Sequence, residues 1–103
     1  MISNLLILII NLLKDNRYKA IKSLIESDSL KGLKDVFEIL PLTVVRVDMG
    51  INYNTLRRRV LSPGLLTVDD IRKLSELIEV EPSLITNLAL ADLKISRAVK
   101  KKK

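Results

Sequence analysis

The sequence predicts an all-α fold, a compact bundle of about five to six helices, on three observations. Apolar residues recur at helical spacing along most of the 103-residue chain. Residues suited to capping stand ahead of several of these runs, and proline or glycine punctuates them. No stretch alternates apolar with polar for long enough to suggest a sheet, and no internal repeat or Gly/Ser linker divides the chain. With 48% hydrophobic residues, one domain of this length can bury a small core without disulfide or metal.

The elements follow in order. Ile2 to Leu13 is almost wholly apolar, broken by Ser3, Asn4 and Asn11, and stops at Lys14. It is too short to span a bilayer, which takes about 20 residues. It also lacks the charged start and small-residue end of a signal peptide. Secretion is therefore not expected, and the expected location is cytoplasmic. A helix used for core or dimer contacts is favoured; a strand remains open because Ile7, Ile9 and Ile10 are β-branched. Asn16 is expected to cap a helix with Tyr18, Ile21, Leu24 and Ile25 inward, ending near Ser27, and Asp28 to Gly32 reads as a polar loop. Leu33 to Leu40 forms the next helix, ended by Pro41, which disfavours helical backbone at the residue before it.

Thr43 is expected to cap a short helix carrying Val44, Val45 and Met49. Gly50 then supplies a left-handed turn, and Asn52 caps a second helix from Tyr53 to about Leu61. After Gly50, Ile51, Leu56 and Val60 give the inner face, while Tyr53, Asn54, Arg57 and Arg58 point away from it. Ser62-Pro63-Gly64 breaks the pattern. Thr67 caps the following helix with Asp70 three residues on, and Ile71, Leu74, Leu77 and Ile78 face its core. After Pro82, Leu84, Ile85, Leu88 and Leu90 in the segment Ser83 to Ala91 close the bundle, and from Leu93 onward the chain frays into a basic tail. The resulting division is an apolar and amphipathic extension over 1–28, a helical domain over 29–93 and a tail over 94–103.

Without cysteine or histidine, the chain has no Cys-rich or His-rich zinc site, Cys nucleophile, or imidazole acid/base group. The pair Asp69 and Asp70 reads as favourable charge at a helix start, and no catalytic constellation is found. An enzyme is not expected, and no cofactor or metal is implied. The net charge of +6 is unevenly spread: Ser29 to Ala91 carries as many acidic as basic residues, and most of the excess lies in Lys94, Arg97 and Lys100 to Lys103. Within the neutral part, Arg57, Arg58 and Arg59 form a local positive patch. Charge runs are otherwise solvated faces, and the terminal lysines are assigned no specific role.

The segment Leu42 to Val60, with Met49 before the turn Gly50, Ile51 after it and Leu56 six residues beyond it, resembles the lambda-repressor/Cro-like (XRE) helix-turn-helix superfamily. The resemblance extends over roughly Leu30 to Leu93, taking in the helix before the motif, the Ser62-Pro63-Gly64 loop and the capped helix after it. Two positions depart from the pattern. The fifth motif residue, usually small, is Arg46, which must either snorkel outward or hold the helices apart. The eighteenth, usually apolar, is Arg59, leaving Val60 as the inward residue.

The resemblance implies a sequence-specific DNA-binding transcriptional regulator, a homodimer on double-stranded DNA, with its second motif helix in the major groove. Tyr53, Asn54, Arg57 and Arg58 are the implied base contacts; Asn can bond adenine and Arg guanine through two hydrogen bonds each. Thr43, Asn52 and Arg59 are better suited to phosphates. The alternative is a protein-interaction module, adaptor or antitoxin-like, which the neutral central charge and apolar N-terminus favour. A membrane-surface role for the two chain ends is more remote, and no membrane partner is expected.

Overall fold

The computed structural model describes residues 15–101, with side chains described as far as residue 93. The expected role of residues 2–13 lies outside this range. Every regular element among the described residues is helical: α1 (Arg17–Glu26), α2 (Leu33–Ile39), α3 (Leu42–Met49), α4 (Tyr53–Leu61), a 3-10 turn (Pro63–Leu65), α5 (Val68–Ile78) and α6 (Pro82–Lys101). The all-α bundle expected from spacing is the fold observed.

Each helix sends one apolar stripe to a single core. Tyr18, Ile21 and Ile25 come from α1; Leu33 and Val36 from α2, with Leu40 just beyond it; Val45 and Met49 from α3; Leu56 and Val60 from α4; Leu74 and Ile78 from α5; Ile85 and Ala89 from α6. Burying a side chain of this kind contributes about 1.5–3 kcal/mol, so the shared core is the main stabilising term. Helix α6 lies against α5, α2 and the 3-10 turn, while α1 packs on α5 and α2. The pair α3 and α4 is thereby presented on a platform, with α3 seated on α5 and α4 on α2 and the turn.

Four expectations need correction. Asn16 has helical backbone and makes no side-chain cap; Asp15 does the work instead, its carboxylate accepting the Arg17 backbone N–H at 2.9 Å and the Arg17 guanidinium Nη2 at 2.6 Å. That partner holds the half-buried Asp15 carboxyl down at about 2. Thr43 does not cap α3 either. Pro41, fixed near φ −61° with extended ψ, ends one helix and starts the next, its carbonyl accepting Val44 N–H and Val45 N–H, so Thr43 is already inside the first turn. Leu90 is exposed, and Ala89 takes the inward position four residues after Ile85. Finally, the backbone does not fray at Leu93: α6 continues to Lys101.

Two long-range hydrogen bonds close the bundle. Tyr18 Oη donates to Asp48 Oδ2 at 2.6 Å, tying α1 to the end of α3. Asp92 of α6 reaches the start of α2, where its Oδ2 accepts the Lys34 backbone N–H at 3.1 Å. Gly32 caps α2 without a side chain of its own, and a Cβ there would lie 2.0 Å from Asp92 Oδ1. Any side chain at this position would displace the Asp92 carboxylate from where it bonds Lys34 N–H. The carboxylate that another chain would take from the cap residue is supplied here from across the fold.

Burial, followed by the hydrogen bond to Asp48, raises the Tyr18 phenol above its ordinary pKa. Its folded pKa exceeds its unfolded pKa of about 10, so the associated stability is intact below that pH and declines as the unfolded phenol ionises. Tyr18→Phe is expected to cost about 1 kcal/mol at neutral pH. In denaturant titrations the gap between parent and variant should narrow above pH ~10. A gap that stays constant into strong alkali contradicts this assignment.

Candidate functional site

The candidate site is built around the α3–α4 turn. Gly50 has φ 70° and ψ 37°, its N–H bonds Val47 O at 3.1 Å, and the Ile51 N–H reaches back to Arg46 O at 3.0 Å. This pairing satisfies two carbonyls that the end of α3 would otherwise leave open. Asn52 follows in extended backbone and Oδ1 accepts the N–H of Asn54 at 2.8 Å and of Thr55 at 3.4 Å. Turn and cap are those read from the sequence, and only Gly50, Ile51 and Asn52 lie between the two helices.

With Leu56 and Val60 buried, the opposite face of α4 is exposed. It carries Tyr53 and Asn54 and, one turn on, Arg57 and Arg58, so that 53 stands over 57 and 54 over 58. All four expected base-contacting residues therefore share one open face. The basic side chains on this face differ from those on α5. There Arg72 bonds Asp69 and Glu76, and Lys73 pairs with Asp69, a network that lowers the Asp69 carboxyl through the Arg72 and Lys73 hydrogen bonds. Arg57 and Arg58 form no ion pair among the described residues. Arg46, the fifth motif residue, is also exposed and unpaired among them, so the expected outward path for a long cation is the one taken while α3 and α4 remain packed.

The residues expected at phosphates diverge. Thr43 and Asn52 are exposed at the ends of α3 and α4 nearest their N-termini. Arg59 instead turns toward α5, where Nη1 donates to both carboxylate oxygens of Asp70 at 3.0 Å. Asp70 is 3% exposed, its Oδ2 also accepts the Thr67 N–H, and its own N–H bonds Thr67 Oγ1. The capping box was legible in the sequence; Asp70 as the partner of Arg59 was missed. A signal was present, since an arginine where the resemblance expects an apolar residue calls for a buried anion.

Among the described residues no group of three or more acidic side chains is arranged to hold a metal ion, and no helix is long and apolar enough to cross a membrane. Compared with known proteins, the chain matches no family model, no curated sequence and no solved structure.

The turn geometry yields a direct test. A Cβ at Gly50 meets nothing within 4 Å, so substitution there is penalised by backbone strain and not by overlap. Gly50→Val should lose about 1–2 kcal/mol, whereas Gly50→Asn, which tolerates left-handed backbone, should lose clearly less. Equal melting temperatures for the two variants would contradict a left-handed turn.

Proposed function

We propose that the chain is a sequence-reading DNA-binding regulator of the lambda-repressor/Cro-like kind, with α4 as its recognition helix. The observation that carries the proposal is the exposed face of α4, where Tyr53, Asn54, Arg57 and Arg58 stand with both arginines unpaired among the described residues. Unpaired guanidinium groups on one rigid helix face suit bidentate bonding to guanine, and Asn54 suits adenine. A tight turn and a capped N-terminus fix how α4 projects, which groove reading requires. Thr43 and Asn52 meet phosphates on either side, and the tail lysines, Lys100 to Lys103, add attraction that is blind to sequence.

Two copies act together on this reading, because paired half-sites need two recognition helices and one such helix reads few base pairs. The apolar residues 2–13 are the proposed dimer contact. Sedimentation is expected to give a dimer, and deletion of residues 2–13 to give a monomer.

A protein-binding role is the competing reading. It is favoured by Leu61, Leu65 and Val68, which lie 52–85% exposed where α4 passes into α5. One experiment separates the two. A DNA site is first selected from a random pool, and Asn54, Arg57 and Arg58 are then replaced together by Ala, which favours helix. Each lost base contact should weaken binding to the selected site by about 1–3 kcal/mol and relax preference at particular base pairs. Removing Lys100 to Lys103 should weaken all sequences alike and flatten the salt dependence. Parent-like binding by the folded triple variant at about 0.15 M salt would favour the protein-binding role.

A further inference from the structure

Arg57, Arg58 and Arg59 are consecutive, yet they occupy two environments. The first two are exposed, while Arg59 has 26% of its side chain accessible and ends on a carboxylate that is 4% accessible. Helix α4 packs principally on α3, α2 and the 3-10 turn. The bond from Arg59 Nη1 to Asp70 reaches beyond these neighbours to the first turn of α5. Asp70 cannot swing freely, because its backbone and its carboxylate are both held by Thr67 in the capping box. One guanidinium nitrogen donating to both oxygens of a fixed, buried carboxylate ties this turn of α4 to the first turn of α5 at hydrogen-bond distance. An apolar residue at the same place would supply no such directional tie.

We infer that Arg59 is a positioning residue for DNA reading: through Asp70 it sets the rotation and tilt of α4, and hence the aim of Arg57 and Arg58, and it is not a phosphate contact. The inference rests on the DNA-binding reading. It also explains the departure at the eighteenth motif position, where an ion pair to the α5 cap takes over from apolar packing.

Removing Arg59 alone would strand a buried carboxylate and risk unfolding. The test therefore uses the double variant Arg59→Met with Asp70→Asn, which keeps the long stem, removes both charges and leaves an oxygen to accept the Thr67 N–H. Arg59→Lys serves as a companion that keeps the charge but carries its donor on a shorter, more freely rotating stem. Affinity for the selected DNA site and for a scrambled duplex is measured across a salt series, with circular dichroism reporting the fold.

The double variant is expected to remain folded and to lose about tenfold on the selected site. It should bind the scrambled duplex as the parent does, with an unchanged slope of log affinity against log salt. Arg59→Lys should recover part of the loss on the selected site. A phosphate contact would behave otherwise: both duplexes would weaken together and the slope would fall by about one. That pattern, or parent-like discrimination by the double variant, overturns the positioning role while leaving DNA reading intact. An unfolded double variant together with an Arg59→Lys protein that discriminates as the parent does also overturns it. If the parent itself does not distinguish the two duplexes, the DNA-binding reading fails, and the positioning role falls with it.

Discussion

Short helices must reverse direction quickly if they are to share one core, and the carbonyls at their ends must still find donors. That constraint governs this fold. Helices α1, α3 and α5 meet it with the same device, a left-handed residue followed by an N–H that bonds five residues back: Asp28 with Ser29 to Leu24 O, Gly50 with Ile51 to Arg46 O, and Glu79 with Val80 to Ser75 O. Only the second uses glycine. At the other two a side chain is carried through a backbone region that costs roughly 1 kcal/mol or more, offset by the carbonyls satisfied and by the core that the turn allows to close.

This distribution explains which turns were legible in the sequence. Gly50 announces itself because glycine before a capped helix has few other readings, and Asn52 and Thr67 confirm their helices through the side-chain oxygens they offer. Asp28 and Glu79 have the composition of ordinary loop residues, and nothing local marks them as left-handed. Thr43 misled for a related reason: a hydroxyl residue near a helix start has the chemistry of a cap, but Pro41 two residues earlier had already set the boundary. Asp15 and Asn16 are both good cap residues, and the choice between them was made by Arg17, whose backbone and guanidinium both reach the aspartate.

The candidate site divides in the same way. The exposed face of α4 was readable because it is the complement of a periodic apolar stripe, which depends only on helix geometry. Its electrostatic state was not readable, since pairing depends on which carboxylates the fold brings near. Asp69 and Asp70 are adjacent in sequence and read alike; one lies in the solvent beside Arg72 and Lys73, and the other is buried against Arg59, eleven positions away. The contrast between the paired cations of α5 and the unpaired Arg57 and Arg58 of α4 arises from tertiary placement.

The contact between Asp92 and the start of α2 bears on how the chain folds. The donor it satisfies, Lys34 N–H, is separated from it by 58 positions, and Gly32 leaves α2 with no cap side chain of its own. Helix α2 has seven residues, too few to persist alone in water. Asp35 holds the N–H groups of Lys31 and Gly32 locally, but the Lys34 N–H gains its side-chain acceptor only when α6 arrives. Such dependence between distant segments favours all-or-none assembly over stepwise growth from one end. A helix-turn-helix excised without α6 would therefore leave the first turn of α2, the helix beneath α4, with Asp35 as its only side-chain anchor.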